Sequence, residues 1–142
     1  MNELPGTPAD QLNALLRLLL PFARGSVAAT GELDPLGATM AVDGELETAQ
    51  GDGESDEALR SIRSGFRERA GRGEVVAVGV ASLVALDDDA WPHGVRIELE
   101  HLEGTELTLI HPYRRAEDAT TWGEPFRMPG PGRGEDATFV HD

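Results

Sequence analysis

Glu98, Glu100 and Glu106 are the residues whose types and spacing come nearest to a reactive centre. If 94–111 folds as a hairpin, strand alternation puts all three on one sheet face, with Glu100 directly across from Glu106. Like charges so placed are destabilising unless something neutralises them, and paired carboxylates are what acid–base and metal-assisted chemistry uses. The plainer expectation is an exposed sheet face, or one salt-bridged to arginines. Segment 55–71 supplies those arginines, since Arg60, Arg63 and Arg67 recur at helical spacing in one narrow stripe. Arg60 has Asp56 and Glu57 within reach, whereas Arg63 and Arg67 have no carboxylate three or four residues away. The preferred expectation pairs Arg63 and Arg67 with the sheet glutamates or the C-terminal tail. Its rival gives them to an external anion or protein.

Three further groups have chemical potential. Tyr113, Arg114 and Arg115 follow one another at a strand end, and Tyr and Arg are the residue types enriched in interface hot spots. Asp87, Asp88 and Asp89 lie in a loop with His93 nearby. Hard oxygen ligands can hold Ca²⁺ or Mg²⁺, but consecutive residues alternate sides, so a solvated turn is favoured. His101 and His111 fall near opposite ends of one hairpin and cannot share a metal; each reads as a core or rim histidine. No dinucleotide, P-loop, zincin, nucleophile-elbow or EF-hand spacing occurs. The absence of cysteine removes thiol nucleophiles, disulfides and Cys-ligated metals. No cofactor is expected, and binding is favoured over catalysis.

Charge narrows the partners. There are 26 acidic residues against 12 basic ones, all arginine, for a formal net charge of −14. Such a chain repels phosphate backbones and anionic membranes, so neither nucleic acid nor membrane is an expected partner. A protein with a basic surface is compatible, because complementary fields accelerate encounter. At 142 residues, one core is expected. The first ten residues lack the basic and apolar stretches of a signal peptide, and the cytoplasm is the default location.

These side chains need elements to position them. Thr7-Pro8-Ala9-Asp10 opens a helix, with Thr7 as N-cap and Pro8 in the first turn. Leu12, Leu15, Leu16 and Leu19 form its apolar stripe, and Pro21 is expected to end it. Ser26 to Leu33 reads as a strand. Ala38 to Val42 and Glu45 to Ala49 flank Asp43-Gly44, a pair that favours a two-residue hairpin turn. Ser55 is expected to cap a second helix, with Leu59, Ile62, Phe66 and Ala70 on one face and Gly71 just past its end. The run 75–86 is apolar on both faces, as befits a central strand covered on two sides. Val76, Val78, Val80 and Val84 share one face. Ala77, Gly79 and Ala81 on the other admit close approach, by a helix or by a second subunit.

For the hairpin 94–111, a three-residue loop Leu102-Glu103-Gly104 sets Ile97 opposite Leu109 and Leu99 opposite Leu107. It also puts Gly104 where a left-handed residue is wanted. A last strand is expected within Thr120 to Phe126, at an edge because of Pro125. Residues 1–128 thus read as one α+β domain. Residues 129–142 read as a Pro/Gly-rich linker and loosely held tail.

The expected order is helix-strand-strand-helix-strand-strand-strand, with two helices packed on an antiparallel sheet of about five or six strands. That order is similar to profilin-like and roadblock-type domains; the resemblance implies an architecture and carries no function. The functional expectation is protein–protein contact, as an adaptor or self-associating module, with homo-oligomerisation motivated by the small-residue face. The candidate contact residues are Arg63, Arg67, Tyr113, Arg114 and Arg115. The alternatives are an immunity- or inhibitor-like protein masking a basic partner, and a metal-assisted enzyme using Glu98, Glu100 and Glu106.

Overall fold

The structure, a computed structural model, describes residues 6–50, 55–117, 119–128 and 138. Helix α1 spans Pro8–Thr30 and starts on a reciprocal cap. The Asp10 N–H donates to Thr7 Oγ1 at 3.2 Å, and the Thr7 N–H donates to the Asp10 carboxylate at 3.0 Å. The helix does not stop at Pro21, so the expected strand over Ser26 to Leu33 is replaced by the last turns of α1 and its exit. Proline inside a helix removes one hydrogen bond and costs roughly 3 kcal/mol. Pro21 is exposed, which leaves the unpaired carbonyl one turn back near solvent, while Leu19, Ala23 and Val27 on the opposite side are completely buried. Packing on both sides of the proline outweighs the local penalty. Gly31, at φ +77°, ends the helix and donates its N–H to the Val27 carbonyl at 2.7 Å.

Among the described residues, seven strands form one sheet: β1 Leu36–Ala41, β2 Leu46–Gln50, β3 Val75–Ala85, β4 His93–His101, β5 Glu106–Ala116, β6 Ala119–Trp122 and β7 Phe126–Met128. Helix α2, Ser55–Gly71, connects β2 to β3. The spatial order is β2-β1-β3-β4-β5-β6, every pair antiparallel, with β7 also on the outer side of β5. This is the α+β architecture expected, with the run 75–86 at its centre.

Two turns depart from expectation. Ala41 faces Glu45 rather than Val42 doing so, because the Ala41 N–H donates to the Glu45 carbonyl. The β1–β2 loop therefore has three residues, with Gly44 at φ +90°. At the end of α2 the left-handed residue is Gly73, at φ +70°, and Gly71 remains helical. Gly73 N–H to Ala70 and Glu74 N–H to Arg69 complete a Schellman motif. The β4–β5 hairpin forms as expected: Ile97 faces Leu109, Leu99 faces Leu107, and Gly104 has φ +100°. The last strand is split at Gly123-Glu124-Pro125 into β6 and β7, since Pro125 has no N–H to donate.

The helices cover opposite faces. Helix α1 packs on Ala38, Ala77, Ala81, Val95, Ile97 and Leu99. Ile62 and Phe66 of α2 pack on Val75, Val78 and Val80. The Ala77–Gly79–Ala81 face therefore lies under α1 of the same chain. A Cβ on Gly79 would sit 2.8 Å from Leu19 Cδ1 and from Leu99 Cδ2. Of the two occupants expected for this face, the helix takes it, and it is no subunit surface.

Candidate functional site

The cross-strand register puts Arg96, Glu98, Glu100 and Glu106 on the face that carries α2. That face is not exposed, for Glu98 and Glu100 are both buried. Arg63 of α2, itself buried, donates to both Glu98 oxygens, at 2.6 Å from Nη2 and 3.4 Å from Nη1. Arg96 Nε lies 3.2 Å from the same carboxylate. The Thr138 N–H donates to Glu100 Oε2 at 2.8 Å, so Thr138 itself lies against β4. The rest of the expected linker and tail over 129–142 lies outside the described residues, as does His141. Arg63 thus joins layers. Arg67, one turn on, is exposed and also engaged within the chain. Among the described residues, no group of three His, Asp or Glu side chains is placed to hold a metal ion.

The remaining histidines divide by burial. His101 Nε2 lies 2.6 Å from Gln11 Oε1, and its Nδ1 accepts the Glu103 N–H at 3.0 Å. The accepting Nδ1 places the ring proton on Nε2, where it binds α1 to the hairpin. Burial lowers the His101 pKa, opposed by the Glu103 charge. His111 is buried with no partner for Nε2 among the described residues, and burial plus the nearby Arg24 charge lower its pKa. Both are core histidines.

Tyr113, Arg114 and Arg115 do not form one patch. Alternation along β5 sends Tyr113 and Arg115 to the α1 face and Arg114 to the other. Tyr113 is buried between His93, stacked at 5.4 Å, and Trp122, tilted at 5.2 Å. Arg24 of α1 lies 4.7 Å over the Trp122 ring. On the opposite face, Arg114 lies 4.7 Å over Trp91. The segment is thus the partition between two concavities at the end of the sheet where β3 meets β4.

The larger concavity has a volume of about 730 Å³, within the ~300–1,000 Å³ typical of ligand sites. Its apolar lining comprises Leu86, Trp91, Pro112, Trp122 and Phe126, and its charged lining Asp87, Asp88 and Glu124. Local folding explains how they meet. The Leu86 N–H donates to the Pro92 carbonyl at 2.9 Å, closing a loop over 87–91. Within it, Asp88 Oδ1 accepts the N–H groups of Ala90 and Trp91 at 2.9 and 3.1 Å, which turns Trp91 back toward the sheet. Gly123 makes room, because a Cβ there would meet the Trp91 ring at 3.0 Å. The break at Pro125 then swings Phe126 onto the rim, 44% exposed.

The run Asp87-Asp88-Asp89, expected as a solvated turn, is an exposed loop at this end of the sheet beside His93, and Asp88 builds it. Trp91, Trp122, Glu124 and Phe126 carry no periodic signal and escape a reading by motif. Aromatic residues in polar loops and beside an edge-strand proline are the one trace they leave. No protein-family model matches the chain, and no curated protein or solved structure matches it either.

Proposed function

We propose that this chain is a protein-binding module whose larger cleft takes a basic, partly apolar segment of another protein. The observation that supports the reading is the meeting of Trp91 and Phe126 with Asp87, Asp88 and Glu124 in one open concavity. An arginine or lysine side chain suits such a lining, since its stem packs on rings while its charge meets carboxylates. Arg114 contributes one opposing guanidinium against three carboxylates, and the net charge of −14 adds long-range attraction. An inhibitor-like role, masking a larger basic protein, uses the same complementarity. The metal-assisted alternative is disfavoured because Glu98 is held by Arg63 and Arg96, and Glu100 by the Thr138 amide.

Both tryptophans of the chain line this cleft, so intrinsic fluorescence reports its occupation. A short peptide alternating arginine and leucine is expected to change the emission saturably, and its glutamate–leucine counterpart to leave it unchanged. Replacing Asp87 with Asn and Glu124 with Gln together is expected to weaken binding about tenfold or more, with Asp88 spared because it builds the loop. No saturable response, or an equal response to the acidic peptide, overturns the reading.

A further inference from the structure

We infer that the smaller concavity, on the α1 face of the same sheet end, is a site for a small organic carboxylate anchored by Arg115. It lies across the sheet from the acidic cleft and does not depend on that reading. Its volume is about 310 Å³, and among the described residues no carboxylate lines it. Leu83 and Ala85 of β3 give it an apolar wall, while His93, Tyr113 and Arg115 give it hydrogen-bond donors.

Arg115 makes no hydrogen bond or ion pair among the described residues, and its Nε is shielded from solvent without an acceptor. In a chain with 26 acidic residues, a half-buried guanidinium left unpaired is anomalous. Directly across the ladder, Thr120 has a buried Oγ1 that also lacks a partner among the described residues. Arg115 lines a cavity whose other polar groups, His93 and Tyr113, can donate, and no anionic acceptor lines it among the described residues, which describes a place for an acceptor-only group. A carboxylate is such a group, and its plane matches the guanidinium fork. A single lining arginine suits one negative charge better than a phosphate dianion. Gly31 secures the arrangement, because any side chain there would collide with the Arg115 guanidinium.

Arg115 also faces the C-terminal end of α1, which has no basic residue in its last turn, so a purely structural role is the competing explanation. The full-length chain, labelled with ¹⁵N, can be titrated with butyrate while the Arg115 Nε–H and His93 signals are followed. Inorganic phosphate and butylamine form the comparison arms. Butyrate is expected to shift both signals saturably, with much weaker effects from the other two. Arg115→Gln should weaken butyrate binding about ten- to a hundredfold, and Arg115→Lys should restore part of it. Should Arg115→Gln fail to fold, Tyr113→Phe provides the test, with a severalfold loss expected. The inference is overturned if butyrate produces no saturable shift, if phosphate binds more tightly, or if affinity survives in a folded Arg115→Gln protein. Lost stability without any carboxylate binding would assign Arg115 to the helix end alone.

Discussion

Arg63 on α2 and Glu98 on β4 form a buried ion pair, with 2.6 Å between Nη2 and Oε1, that ties the outer helix to the centre of the sheet. The two residues are 35 positions apart and both side chains are about nine-tenths buried. Removing one partner leaves a buried charge uncompensated, which typically costs roughly 3–5 kcal/mol. Arg96 remains beside Glu98, so Arg63→Gln is expected to fall at the lower end of that range. Replacing both partners with methionine should recover much of the loss. Urea denaturation of the three variants checks this, and an Arg63→Gln protein as stable as the parent would contradict it.

Gly104 should not tolerate a branched side chain. A Cβ there would meet no atom within 4 Å, so any penalty comes from the backbone at φ +100°. Gly104→Val is expected to lose about 1–2 kcal/mol, read from the denaturation midpoint.

Gly79 and Gly25 should respond in opposite directions. Gly79→Ala pushes a methyl to within 2.8 Å of two leucine carbons from different layers. Overpacking of this kind costs about 1–3 kcal/mol. Gly25 lies exposed in α1 with open space around it, so Gly25→Ala should stabilise by up to about 1 kcal/mol. Calorimetric melts of the two single variants give the signs directly.

Acidification should weaken the fold through its core histidines. His101 and His111 have folded-state pKa values below the ordinary value, so between the folded and unfolded values the unfolded chain binds more protons. Their contribution is complete above the unfolded pKa of about 6.5 and is lost progressively as pH falls through it toward the folded value. Protonating His101 would also deprive the Glu103 amide of its acceptor. Thermal melts between about pH 7.5 and 5.5 should show a falling midpoint, and His111→Leu should flatten that slope. A midpoint independent of pH in this window would be inconsistent with neutral buried rings.

The local sequence determined those features whose physics is local. The Thr7–Asp10 cap, the leucine stripe beginning at Leu12, and the loop at Gly104 each rest on residues a few positions apart. Hairpin register followed as well, because only one pairing puts Ile97 and Leu99 opposite leucines and buries a continuous apolar face. The doubly apolar run 75–86 announced a central strand, and the stripe containing Arg63 announced a partner among the sheet glutamates.

Tertiary structure decided the rest. Pro21 breaks an isolated helix, yet burial of Leu19, Ala23 and Val27 against the sheet carries α1 past it, and no local preference contains that information. The small face of β3 was open to either a helix or a subunit until α1 occupied it. Tyr113, Arg114 and Arg115 read as one patch in sequence but serve two faces once β5 is paired on both sides. The cleft joins a loop residue, Trp91, to an edge strand about thirty positions later. Its residues obey no spacing rule because they meet only through β5, the strand that lies between them in the sheet.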